Sequence, residues 1–88
     1  MKFQLGEVVI TRNAAETLNL SDAYEALITR HAQEDWGDVC AEDAQLNEDG
    51  LTHGQRLMSV YTDAQGIKFW IITEWDRSVT TILLPEDY

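Results

Sequence analysis

The stretch from Arg56 to Pro85 most constrains what this chain can fold into. It divides into RLMSVYTD, IKFWIITE and VTTILLP, each the length of a strand. Ser59, Val60, Tyr61, Trp70, Ile71, Ile72, Val79, Thr80, Thr81 and Ile82 are β-branched, aromatic or small, which suits a pleated, half-buried surface. Asp63-Ala64-Gln65-Gly66 carries turn formers at its ends, and Gly66 can take a positive φ without Cβ strain. Trp75-Asp76-Arg77-Ser78 supplies the second reversal. The expectation is a three-stranded antiparallel meander. Phe69 and Trp70 then face opposite sides of it, so one of the two is core.

Upstream, Phe3 to Thr11 contains Val8, Val9 and Ile10 and reads as a further strand, central or beside the meander, with Gly6 as a bulge. Asn13 before Ala14-Ala15-Glu16 resembles a capping box and predicts a short helix ending near Asn19. Ser21 predicts the cap of a stronger helix, with Asp22 and Glu25 near its start and Arg30 near its end, as the macrodipole favours. Tyr24, Leu27, Ile28 and His31 share one face at helical spacing, and that face is expected to pack on the sheet. Gln33 to Cys40 reads as a loop that exposes Trp36 among acids. A third, weakly amphipathic helix is expected from Ala41 to Asp49, stopped by Gly50. Ala41, Ala44, Gln45 and Glu48 form its inner face, with Leu46 to one side. The order of elements gives a single α+β domain over residues 1–88. An N-terminal strand and two to three short helices precede the meander, and the helices cover one face of the sheet. The other face is expected to carry alternate polar residues.

Eighty-eight residues can build one small core. A lone cysteine, Cys40, excludes an internal disulfide framework and the multi-cysteine zinc motifs. MKFQLGEVVI has no apolar run of signal-peptide length and nothing later could span a bilayer, so a cytoplasmic protein is expected. Sixteen acids against six bases give a formal net charge of −10. Such a field repels phosphate backbones and anionic membranes, which excludes direct nucleic-acid or membrane binding and favours basic partners.

Three constellations carry possible chemistry. Glu34, Asp35, Asp38, Glu42, Asp43, Glu48 and Asp49 form an acidic run with no base between Arg30 and Arg56. With Trp36 as an exposed anchor, they are the expected partner-binding residues. The plainer reading is a solvated helix with acids at its favoured end. A metal site is not expected, because the acids lack calcium-loop spacing and His31, His53 and Cys40 are scattered. No spaced catalytic motif is present and no cofactor is expected; His31, Glu74 and Arg77 are the candidates should catalysis exist. His31 reads more simply as a packed histidine, and Glu74, Asp76 and Arg77 as a salt-bridged hairpin.

DWGDV, RLMSVY, FWIITE and DRSVTTILLPEDY together resemble a family of small, mostly uncharacterised bacterial proteins carried on plasmids and other mobile elements. The order of elements separately resembles RelE/ParE-type toxins, which place two helices before a three-stranded antiparallel run. Those that cleave mRNA on the ribosome are typically basic, and this chain lacks their Lys and Arg cluster. Mobile-element carriage, small size and acidity resemble anti-defence proteins of plasmids and phages, anti-CRISPR and antirestriction inhibitors among them. The resemblance implies a non-enzymatic inhibitor that occupies a basic nucleic-acid-binding surface on a host protein or nucleoprotein complex. The alternatives are a toxin-like nuclease, or a degenerate relative used for regulation as a homodimer.

Overall fold

The computed structural model describes residues 3–88; Met1 and Lys2, which open the MKFQLGEVVI stretch, lie outside the described residues. The three C-terminal runs form β2 (Leu57–Thr62), β3 (Lys68–Thr73) and β4 (Val79–Leu83), paired as an antiparallel meander. The first strand, β1 (Glu7–Ile10), lies beside β4 and runs parallel to it, so the sheet is mixed, in the order β1-β4-β3-β2. A parallel neighbour needs a long crossover, and the helical half of the chain supplies the connection back to the meander. Gly6 is not a bulge. It precedes β1 at φ +66 and approaches the backbone of Arg77 and Ser78 so closely that a Cβ would not fit.

Helix α1 (Arg12–Thr17) is capped by Thr11, whose hydroxyl accepts from the Ala14 amide, rather than by Asn13. Asn13 is drawn away to donate to the Asp87 carboxylate. Helix α2 (Leu20–Thr29) is capped by Asn19 rather than Ser21. The reason is tertiary: the Asn19 amide donates to Asp63, and the Ala64 amide to Asp22, which locks the β2–β3 turn to the helix start. The buried face of α2 is Ala23, Ala26 and Leu27, whereas Tyr24 points outward at 65% exposure. Small side chains let the helix axis approach the sheet, so the alanines displace the tyrosine from the contact. A 3₁₀ turn at His31–Gln33 follows.

Helix α3 (Ala41–His53) runs one turn past the expected stop and ends at Gly54 in the left-handed conformation. Gly50 lies inside it, buried against Leu57, where the missing side chain permits close approach. Its buried positions are Asn47 and Gly50, not the predicted inner face. The core joins Leu5, Ala14, Leu18 and the α2 alanines to Tyr61, Phe69, Ile71 and Ile82 on one face of the sheet. Phe69 is thus the core aromatic. Trp70 lies on the opposite face, 5.4 Å centroid to centroid from Tyr88. That opposite face carries Met58, Val60, Trp70, Ile72 and Leu83, and is more apolar than expected. Among the described residues no helix is long and apolar enough to cross a membrane.

Candidate functional site

Helix α3 lies along the outer edge of β2, and its far side carries the acids. Glu42 and Asp43 occupy the first turn, where the macrodipole favours them. Leu46 follows at i+4 and i+3 from these two, and Asp49 at i+3 from Leu46, so all four share one face. Leu46 is 57% exposed, an apolar side chain ringed by carboxylates. Beside it, Asp43, Leu46, Asn47, Arg56 and Met58 line a cleft of about 140 Å³. Among the described residues only two ion pairs form, Arg12–Glu16 and Arg30–Asp35, so Asp38, Glu42, Asp43 and Asp49 make none, although Arg56 lines the same cleft as Asp43. Leu46 was legible as an exposed residue at helical spacing from three acids, but the helix face had to be phased correctly first.

The other predicted binding residues are spent differently. Trp36 is not an exposed anchor. It is buried at 6% exposure, stacks at 6.2 Å on Phe3 and sits edge-on at 5.8 Å to His31. Its indole N–H donates to the Glu48 carboxylate at 2.9 Å, which commits Glu48 as well. Asp35 accepts from the Arg30 guanidinium at 2.9 and 3.2 Å, and this pairing holds its carboxyl below the usual range. Glu34 closes the 3₁₀ turn at φ +67. The acidic run therefore splits into a structural part, Asp35, Trp36 and Glu48, and a free part centred on α3.

His31 is wholly buried in a hydrogen-bond chain that crosses the sheet. Its Nδ1 lies 2.5 Å from the Ser59 hydroxyl and its Nε2 2.8 Å from that of Thr73. Thr73 lies 2.8 Å from Thr80 Oγ1, which donates to the Leu5 carbonyl at 2.7 Å. A carbonyl can only accept, so the direction of the chain follows as far as His31 Nε2. Thr73 donates to Thr80 and His31 Nε2–H donates to Thr73; in the neutral ring that burial favours, Ser59 donates to Nδ1. Every polar atom is satisfied with the imidazole neutral, and burial lowers its pKa to about 4.

Arg77, at φ +61 in the β3–β4 turn, forms no salt bridge with Glu74 or Asp76. It donates instead to the carbonyls of Gln55, Glu74 and Gly50, tying the turn to the end of α3. The turn is closed by Asp76, which accepts from the Ser78 amide and hydroxyl. Neither His31 nor Arg77 is thus free to meet a substrate, and the Glu74 carboxylate bonds to neither.

Further hollows lie elsewhere among the described residues. One of about 250 Å³ lies between α2 and the β2–β3 turn, lined by Asp22, Glu25, Arg30, Tyr61 and Asp63 among others. Its Asp22 and Asp63 carboxylates are occupied by backbone amides, and burial pushes the Tyr61 hydroxyl up to about 12. Another, about 270 Å³, is apolar and lies between α2 and β1. Among the described residues no group of three or more His, Cys, Asp or Glu side chains is placed to share a metal ion. No protein family, curated protein or solved structure matches the chain.

Proposed function

We propose that this protein is a non-enzymatic binding protein whose α3 face docks on a basic surface of another protein. The observation that carries this reading is the exposed Leu46 ringed by Glu42, Asp43 and Asp49, with no base within ion-pair reach among the described residues. An apolar contact inside a ring of like charge offers both desolvated area and electrostatic steering toward a cationic partner. Asp38, in the loop before the helix, extends the same field; Leu46 takes the anchoring role that the sequence had suggested for Trp36. Basic protein surfaces commonly hold nucleic acid, so occupying one blocks it. The narrower form of the proposal is an anti-defence inhibitor acting in the cytoplasm on a nucleoprotein complex.

A nuclease built on His31, Glu74 and Arg77 has less support, because His31 is sealed in the core and Arg77 is committed to backbone carbonyls. The test is capture of partners from host cells by tagged wild type and by the triple reversal Glu42→Lys, Asp43→Lys, Asp49→Lys, each at low and high salt. A partner held at low salt by the wild type and lost by both high salt and the reversal is the expected result. A partner retained by the reversed protein would place the docking surface elsewhere.

A further inference from the structure

Among the described residues nothing pairs with the outer side of β1, the edge strand of the sheet. The Glu7 amide donates to the Ser78 carbonyl and the Thr11 amide to the Ile82 carbonyl, both at 3.0 Å. In a parallel ladder alternate residues face the neighbour, so the N–H and C=O of Val8 and Ile10 point to the empty side. Around them lie five of the eight exposed large apolar side chains among the described residues: Val8 at 45%, Val9 at 38%, Ile10 at 36%, Leu20 at 54% and Tyr24 at 65%. These line the apolar groove of about 270 Å³, with Ala23 and Ile82 of the main core behind them. Proteins usually blunt such an edge with charge, proline or a bulge, and Val8-Val9-Ile10 has none of these.

We propose that β1 pairs antiparallel with β1 of a second copy of this chain, about a two-fold axis at Val9. In that register Val8 of one copy lies opposite the partner's Ile10, and the two exchange both hydrogen bonds, as does the symmetric pair. All four outward groups on each strand are thereby satisfied. Val9 meets the partner's Val9 on one face. On the other, Val8, Ile10, Leu20 and Tyr24 from both copies close over the groove and extend the core across the axis.

The charges at the strand ends select this occupant and orientation. Glu7 begins the strand and Arg12 follows its end; Arg12 is held only by a 3.4 Å contact to Glu16 with its side chain 91% exposed. An antiparallel copy brings each Glu7 beside the partner's Arg12, whereas a parallel one would oppose like charges. The acid faces on α3 end up at opposite ends of an eight-stranded sheet, roughly 34 Å apart at the usual strand spacing. That is several Debye lengths at physiological salt. Asp87, tied to Thr11 and Asn13, and the net charge of −10 oppose association, so the dimer tightens as salt rises. The proposal does not depend on the α3 docking surface.

Sedimentation from micromolar to millimolar concentration, at low and high salt, tests it. The wild type should rise from 10.0 kDa toward twice that mass, more readily at high salt. Val9→Lys places two like charges on the axis and should stay monomeric, while Leu46→Lys makes the same charge change at the opposite edge and should dimerise as the wild type does. Val8→Lys serves if Val9→Lys loses the wild-type circular dichroism. Glu7→Arg should weaken the dimer and Glu7→Arg with Arg12→Glu should restore it. A wild type that remains at 10.0 kDa throughout would overturn the proposal and leave the edge to another protein's strand. So would a dimer that survives Val9→Lys and Val8→Lys, or one lost on Leu46→Lys.

Discussion

The two edges of this sheet are apolar strands finished in opposite ways. At β2 the outward groups of Val60 bond the loop, with the Asp38 amide donating to its carbonyl at 2.8 Å and its own amide to Trp36 at 3.1 Å. The next outward residue, Met58, is met by the Asn47 side chain, which accepts from its amide at 2.9 Å and donates to its carbonyl at 2.7 Å. A loop and one amide side chain thus stand in for a fifth strand. At β1 nothing comparable is present among the described residues. An edge strand's fate is set by what packs beside it rather than by its own sequence.

Breaking the sealed edge should have the largest effect. Gly37 sits at φ +73 against the Val60 carbonyl and the Tyr61 ring, with no room for a Cβ. Gly37→Ala should cost about 4 kcal/mol in urea denaturation, from backbone strain and overpacking together. Gly66→Ala, at φ +84 but in open space, should cost only about 1 kcal/mol.

The link between the edges comes next. The chain from Ser59 through His31, Thr73 and Thr80 to Leu5 joins β2 to the segment before β1, and burial keeps its imidazole neutral. Below its ordinary value of 6.5 the unfolded chain gains a proton at His31 that the folded chain refuses until about pH 4. Stability should therefore fall on acidification across that window, by about 3 kcal/mol for this group. Asp35, Asp63, Asp76 and Asp87, whose values are lowered, add their own losses only at more acidic pH. Denaturation curves between pH 7 and pH 4 measure the slope, and an NMR titration should show His31 unprotonated at pH 5.

Asn47→Ala should cost about 2 kcal/mol by leaving the two Met58 groups without their partner. Amide exchange at Met58 should accelerate in this variant while Val60, held by the loop, stays protected. Smallest of all, Val9→Lys at the edge strand should change monomer stability by less than about 0.5 kcal/mol, because Val9 lies at the rim of the sheet, outside the buried core. A larger loss would mean that β1 is supported in ways its exposure does not reveal.

The meander was legible because its signals are local: β-branched runs of strand length, and turns whose Asp63, Gly66 and Asp76 act within a few residues. What failed was everything settled at a distance. Ser21 and Asn19 are comparable caps, and the Asp63 bond to the Asn19 amide chose between them. Gly50 looks like a stop signal and is instead a close-approach point under Leu57. Trp36 among acids looks like a surface anchor, yet Phe3, His31 and Glu48, from three other parts of the chain, enclose it. The acidic surface survived as a feature, but its centre moved from Trp36 to Leu46.

By itself the sequence determined the α+β class, the strand runs of the meander and a field of −10 charges, since composition, β-propensity and turn chemistry act over a few residues. Only the tertiary structure decided that β1 lies parallel at an edge, that one edge is sealed while the other is unpaired among the described residues, and which acids form ion pairs there. Those outcomes depend on hydrogen bonds and packing between segments far apart in the chain, and no local pattern encodes them.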